Sequence, residues 1–342
     1  MPIATPERYR AMLDAALAGG YAYPAVNVTS SQSLNGALRG FAEAGSDGIV
    51  EVTLGAAGYL GGGGAGEALA GARGLAAMAH EVAARLPVAI GLHTDHAPPA
   101  AVDGFLRPLL ADAALRRGRG QAPLFNSHMF DGSPLPLEDN LRLSRELLER
   151  AAAADVVLEI EVGAVGGEED GIRGPNGDRA ALYTTTADLL RVAEVVGTGE
   201  HGRYLLAATF GNVHGVYAPG NAELRPEILR DGQRALDAVR PGERFAYVFH
   251  GSSGSSAGDL HAAIANGVVK VNVDTDGQYA FTRAIADHVL ANYDGVLRVD
   301  GGLGRKSDYD PRAWGRKAEQ ALAEHVREVA GLLGSARRSI LR

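Results

Sequence analysis

Short runs rich in Val, Ile and aromatic residues alternate with helical patterns along the whole chain, and this alternation constrains the fold more than any other feature. The runs lie at 21–28, 48–53, 88–93, 124–127, 156–162, 204–209, 245–250 and 268–273. Each has the length of a buried strand. Helical spacing of apolar and small residues follows at 30–44, 66–85, 101–116, 138–153, 186–196, 225–239, 255–266 and 278–290. Ser31 or Ser33 could cap the first of these helices, and Pro226 stands early in its helix, where a missing N–H costs nothing. Strict alternation implies parallel strands joined by right-handed crossovers, and eight such strands close a barrel. The predicted fold class is therefore α/β, a (β/α)8 TIM barrel over about residues 20–295, with one or two extra C-terminal helices within 310–342. No Pro-rich or Gly/Ser linker divides the 342 residues, so the chain reads as one domain over 1–342.

Composition removes several chemistries. Cysteine is absent, which excludes disulfides, Cys-ligated zinc, iron–sulfur clusters and a thiol nucleophile. Only Lys270, Lys306 and Lys317 are lysines, so a Schiff-base enzyme has few candidates. A net charge of −8 argues against an extended nucleic-acid surface. Residues 1–10 carry no apolar signal core, and the longest uncharged stretch, 52–66, is too glycine-rich to span a membrane. The expectation is a cytoplasmic protein with neither nucleic-acid nor membrane partners.

In a barrel, reactive groups sit at the C-terminal strand ends and in the loops after them. The third strand runs into HTDH, giving Asp95 and His96; the sixth runs into TFGNVHG, giving His214; the seventh ends at His250. The fifth carries Glu159 and Glu161, and the eighth reads into NVDTD with Asn272, Asp274 and Asp276. Three imidazoles from three strand ends suit Zn²⁺ with a position left for substrate. Their spacing carries no signature of its own, so hydrogen-bonded structural histidines remain an equal reading of these residues alone. His93 and His128 are read as structural. GSSGSS after His250 leads into a helix and can cradle an anion with backbone and hydroxyl donors. The connection at 163–185 exceeds 20 residues, is rich in glycine and carries Glu168 and Glu169, which suggests a mobile lid. Gly61, Gly63 and Gly66 satisfy G-x-G-x-x-G but start too far beyond the second strand for a dinucleotide site.

Taken in order, YPAVNVTS, LHTDHAP, NSHMFDGS, LEIEVGAVGGEEDG, FGNVHGVYAPGN, FHGSSGS, VVKVNVDTDGQYAFT and YDPR resemble the class II fructose-bisphosphate aldolases over nearly the whole chain. The resemblance implies zinc-dependent, reversible cleavage of fructose 1,6-bisphosphate to dihydroxyacetone phosphate and glyceraldehyde 3-phosphate. It implies His96, His214 and His250 as zinc ligands, with Asp131 and Glu161 at a second or resting metal position. Asp95 would handle the C4 hydroxyl proton, Glu169 the proton at C1, and Asn272 would be a further active-site residue. Asp274, Thr275, Val213, Gly215, Gly251 and Ser253 would line the C1 phosphate and a monovalent cation (Na⁺ or K⁺). Asn27, Thr53, Lys306 and Arg312 would hold the other phosphate. A homodimer or homotetramer is implied, with the C-terminal helices as the candidate interface.

Some positions depart from the family. Ala218 stands where a phosphate-binding lysine is usual, Thr53 where serine is usual, and Ser252 where glycine is usual. These edits keep open a different ketose phosphate as substrate. A non-catalytic barrel is the alternative of another class, and the intact Asp95, Glu169 and histidines count against it.

Overall fold

A computed structural model describes residues 2–62, 67–163, 165–169, 172–173, 182–214, 223–298 and 300–342, with the backbone alone for 167–169, 172–173 and 214. Its centre is a closed parallel barrel. The staves are β1 (Tyr23–Asn27), β2 (Gly48–Thr53), β3 (Ile90–Ala97), β4 (Ser127–Phe130) and β5 (Val157–Val162), followed across a short outlying sheet by further staves. That sheet comprises β6 (Gly166–Glu169), β7 (Ile172–Arg173) and β9 (Val213–His214). The remaining staves are β8 (Tyr204–Ala208), β10 (Tyr247–Phe249) and β11 (Val268–Val273), and β11 pairs with β1 to close the ring. The stave residues are buried along their length, as expected for strands covered on both faces. The predicted α/β barrel is what forms.

Between the staves run α2 (Ser31–Ala44), α3 (Leu54–Leu60), α4 (Glu67–Val82), α5 (Arg107–Gly118), α6 (Leu137–Ala153), α7 (Thr186–Val195), α8 (Glu227–Val239), α9 (Ala257–Ala265) and α10 (Thr275–Ala291). Ser30 caps α2, one residue before the suggested Ser31, and the suggested Ser33 returns the bond in a reciprocal box. The helix expected over 66–85 is preceded by a separate helix, α3, which starts at the Thr53 cap. The helix expected from 101 opens instead with a 3₁₀ turn (Pro99–Ala101) and a π turn (Val102–Leu106) before α5. The fourth strand is displaced to Ser127–Phe130, and Asn126 just before it uses its side chain to accept from Leu92 N and donate to Ala4 O. Part of the connection read as a loop is sheet: β6 pairs with β7 and β9.

An unpredicted helix, α1 (Pro6–Gly19), closes the N-terminal end of the barrel. Its Tyr9 is fully buried, and the hydroxyl lies 2.8 Å from Ser127 Oγ. Gly91 makes room for that ring, since a Cβ there would stand 2.5 Å from Tyr9 Cε2. Two short helices, α11 (Tyr293–Val296) and α12 (Lys306–Tyr309), lead to α13 (Pro311–Leu332). The apolar stripe of α13, including Leu322 and Val326, is buried within the chain. Gly36 and Gly40 of α2 let it approach: a Cβ on either would lie 3.1 Å from Leu322 Cβ or 2.6 Å from Val326 Cβ. One face of the C-terminal helix is therefore packed against α2. Large apolar side chains are exposed around α10 and α11, at Tyr279, Leu290, Tyr293, Leu297 and Leu303, and on the C-terminal segment at Leu332 and Leu341. Among the described residues no helix is long and apolar enough to cross a membrane.

Candidate active site

The chemistry begins with a defect in β3. His93 and Thr94 pair with Ser127 and His128, but Ala97 pairs with Phe130, so β3 carries one residue more than β4 over this stretch. A regular strand would send adjacent side chains to opposite faces. Here the bulge, with His96 in the left-handed region at φ 38°, lets neighbouring Asp95 and His96 serve one centre. Ligand atoms of Asp95, His96 and His250 all lie within 4.8 Å of one another, and those of His96, Asp131 and Glu161 do the same.

Each imidazole is aimed by a carboxylate. His96 Nδ1 lies 3.2 Å from Asp131 Oδ2 and 3.6 Å from Glu161 Oε2. His250 Nε2 lies 2.7 Å from Glu159 Oε1, so a metal ion on this ring would take Nδ1, which is 3.7 Å from Glu161 Oε2. The two rings meet edge-on with centroids 4.7 Å apart. Carboxylates behind metal-binding histidines fix ring orientation and raise ligand basicity. Burial works against charge on His250, but Glu159 and Glu161 hold its pKa up to about 10. Burial also pushes Asp131 and Glu159 upward, yet their basic neighbours hold each at about 2.

Asp95 is fully buried and firmly gripped. Asn272 Nδ2 donates to both of its oxygens at 3.2 Å, and Asn27 Nδ2 donates at 3.1 Å. Burial would raise its pKa, but His96, His93, Lys270 and His250 hold it well below the usual carboxylate range. These neighbours favour the carboxylate form. Beneath it lies a set of charges that sequence reading did not assemble. Lys270 Nζ contacts Asn272 Oδ1 at 2.6 Å, Glu51 Oε2 at 3.0 Å and Glu159 Oε2 at 3.1 Å. His93, read as structural, joins them 3.7 Å from Asp95 and 3.6 Å from Glu159, with Nδ1 2.8 Å from Ser127 Oγ. The available signal was a charge inside an apolar run: Glu51 in GIVEVT and Lys270 in VVKVNV. His128 bonds Thr94 Oγ1 at 2.8 Å, as a structural histidine should.

The loops after β10 and β11 carry several of the other expected site residues. After β10 the chain turns through Gly251 and Gly254 at positive φ, and Ser253 is buried. Ser252 Oγ donates to Asn272 O at 2.7 Å, tying this loop to β11. The following helix starts at Ala257 on a Ser256 cap, slightly later than expected. Asp274 precedes α10, whose first residue is Thr275, and Gln278 Nε2 donates to Asp274 Oδ1 at 2.7 Å. Thr53 Oγ1 accepts from Ala56 N at 3.1 Å, so its hydroxyl caps α3. Lys306 and Arg312 are exposed on the C-terminal segment, with Arg312 engaged by Asp310 at 2.7 Å. The side chains of His214, Glu168 and Glu169, together with Gly215, Ala218 and most of the expected lid, lie outside the described residues.

A parallel barrel with an imidazole–carboxylate cluster at its C-terminal mouth defines a metal-dependent TIM-barrel enzyme class. Residues 7–338 match the family model described as fructose-bisphosphate aldolase class-II, and the chain belongs to that family. It is 56% identical over 338 residues to a fructose-bisphosphate aldolase of Streptomyces galbus, covering 98% of each chain. Identity to the fructose-bisphosphate aldolase of Mycobacterium tuberculosis H37Rv is 50% over 344 residues, covering 99% of each. The crystal structure of a Campylobacter jejuni fructose-bisphosphate aldolase superposes with a TM-score of 0.84 at 33% identity, covering 98% of this chain and 97% of that one.

Proposed function

We propose that this chain is a zinc-dependent class II aldolase, a lyase that reversibly cleaves fructose 1,6-bisphosphate into dihydroxyacetone phosphate and glyceraldehyde 3-phosphate, in glycolysis and gluconeogenesis. One observation carries the reading: Asp95, His96 and His250 converge within 4.8 Å in a chain of this family. The donor set suits zinc, since imidazoles backed by carboxylates are its usual oxygen-and-nitrogen environment. His96, His214 and His250 would hold the ion, with Asp131 and Glu161 offering a second position. When bound, zinc supplies Lewis-acid polarisation of the substrate's carbonyl oxygen.

The chain's own groups do the rest. Asp95, anionic and held by Asn27 and Asn272, takes the C4 hydroxyl proton as C3–C4 breaks. Glu169 moves the proton at C1 of the three-carbon product. Gly251, Ser253, Asp274 and Thr275 bind the C1 phosphate, with a monovalent cation beside them near Val213 and Gly215. Asn27, Thr53, Lys306 and Arg312 take the other phosphate. The enzyme works in the cytoplasm as a homodimer or homotetramer, and the exposed apolar residues around α10 and α11 support self-association.

The test compares cleavage of fructose 1,6-bisphosphate, tagatose 1,6-bisphosphate and singly phosphorylated ketoses by zinc-loaded protein. Fructose 1,6-bisphosphate should give the highest kcat/KM. A higher value for another ketose would move the assignment within the class, and Ala218 is the position that would explain it. No turnover of any, by protein shown to hold zinc, would overturn the reading.

A further inference from the structure

We propose that Lys270 is the positioning residue of this active site, a single buried ammonium that orients the base Asp95 through Asn272 and the metal ligand His250 through Glu159. The inference rests on the aldolase reading and deepens it.

Lys270 lies on β11 and is fully buried. An ammonium offers three donors and no acceptor. Among the described residues its partners number three: Asn272 Oδ1 at 2.6 Å, Glu51 Oε2 at 3.0 Å and Glu159, at 3.1 Å to Oε2 and 3.3 Å to Oε1. Each leads toward a reacting group. An amide that gives its oxygen to an ammonium must turn its nitrogen the other way, and Asn272 Nδ2 then meets both Asp95 oxygens at 3.2 Å. With the oxygen and nitrogen exchanged, the amide would point a donor at Lys270 and an acceptor at an anion. Glu51, through Oε1, takes the Asn27 amide at 3.3 Å, and that same amide reaches Asp95 at 3.1 Å. Glu159 Oε1 receives His250 Nε2 at 2.7 Å, which commits Nδ1 of that ring to the metal side.

A purely structural origin explains this arrangement poorly. Burying an ion network is weak support for stability, because desolvation offsets the Coulomb gain. Apolar residues at Glu51, Glu159 and Lys270 together would fill these strand positions without that cost. Nor is the lysine placed as a covalent nucleophile, because all of its donors are committed. Burial disfavours its charge, while Glu159, Glu51 and Asp95 more than compensate and raise its pKa.

The experiment uses the full-length zinc protein and the variants Lys270→Met, Glu159→Gln and the double variant. The double variant removes one positive and one negative charge together and so protects folding. Three quantities are read: zinc affinity by competition with a chromophoric chelator, kcat and KM for fructose 1,6-bisphosphate, and the melting temperature. Lys270→Met should weaken zinc binding about 10–100-fold and lower kcat about 100-fold, with KM changed only a few-fold. In the Glu159→Gln background, adding Lys270→Met should leave zinc affinity where it was, because the path to His250 is already cut. It should still lower kcat at least about 10-fold, because the path through Asn272 is intact. A folded Lys270→Met protein with wild-type zinc affinity and kcat overturns the inference. So does a double variant whose kcat equals that of Glu159→Gln, a comparison that decides the matter even if the single lysine variant does not fold. Failure of the aldolase reading is separable, since it shows in the wild-type chain itself as absence of cleavage.

Discussion

The amide nitrogen of Asn272 stands 3.2 Å from both carboxylate oxygens of Asp95, although 177 residues separate them in the chain. This contact ties β11 to the end of β3. Buried and gripped by two amides, its carboxylate is fixed in position, as the proposed proton transfer requires.

Asp95→Ala and Glu169→Ala should therefore separate the two proton transfers. Asp95→Ala should keep zinc and lower the cleavage rate about 10²–10⁴-fold while still exchanging the C1 proton of dihydroxyacetone phosphate with solvent. Glu169→Ala should keep zinc and lose that exchange. Zinc content, steady-state cleavage and isotope exchange by NMR check both, and full cleavage activity in either variant would sink its assignment.

Removing the metal should abolish cleavage without unfolding the barrel, because the ligand-bearing strands are held by packing and by the carboxylates behind the rings. Activity should return on adding zinc to the chelated wild type. His250→Ala, stripped in the same way, should show no return at matched zinc concentration. Circular dichroism run alongside distinguishes loss of ion from loss of fold.

The floor of the site is keyed to α1 through Tyr9, Ser127 and His93, linked by two 2.8 Å hydrogen bonds. Tyr9→Phe should cost about 1 kcal/mol, the usual net value of one such bond. Gly91→Ala should cost about 1–3 kcal/mol by overpacking against the same ring. Urea unfolding midpoints measure both, and the glycine variant should be the less stable of the two.

His128 makes stability depend on pH. Burial, with His93 adding to it, lowers its pKa from 6.5 to about 3. The unfolded chain thus binds a proton that the folded chain refuses. The stabilisation is complete above pH 6.5 and is lost as pH falls toward 3. Replacing His128 with Gln should flatten the acid side of the stability curve by up to one proton, read as the slope of unfolding free energy between those limits. An unchanged slope would show that other groups carry it.

Asp47 fastens the C-terminal tail. Fully buried, it accepts from Ala89 N and Ser339 Oγ at 2.6 Å each and from Ile340 N at 2.7 Å. Asp47→Ala would orphan donors from both the barrel and the tail, at about 1–3 kcal/mol for each buried group left unpaired. Protease cleavage near the C-terminus should accelerate in this variant, and equal cleavage rates would argue that the tail is held by packing alone.

Much of this was written into local pattern. The strand β2 and β11 boundaries match the apolar runs, because a stave buried on both faces must be apolar nearly throughout. The fourth stave was misplaced for the converse reason. Its SHMF sequence spends Ser127 and His128 on polar partners, so it lacks the expected run. The first helix carried a readable signal in Thr5-Pro6-Glu7 followed by Tyr9, Met12, Leu13 and Ala16, a capped start with helical spacing. His96, His250 and Asp95 were legible as titratable groups at strand ends, and family likeness gave them roles. Lys270, Glu51 and Glu159 were visible only as charges inside apolar strands, which names no partner.

The sequence by itself determined the eightfold alternation, the barrel it closes and the residue types available for a metal centre. Those follow from short-range periodicity and composition, which need no knowledge of distant neighbours. Tertiary structure decided which side chains share the mouth. One extra residue in β3 puts Asp95 and His96 into one group, and closure of β11 against β1 brings Asn272 to Asp95 and Lys270 beneath them. A bulge and a ring closure are properties of pairing between strands far apart in the chain, so no local pattern encodes them.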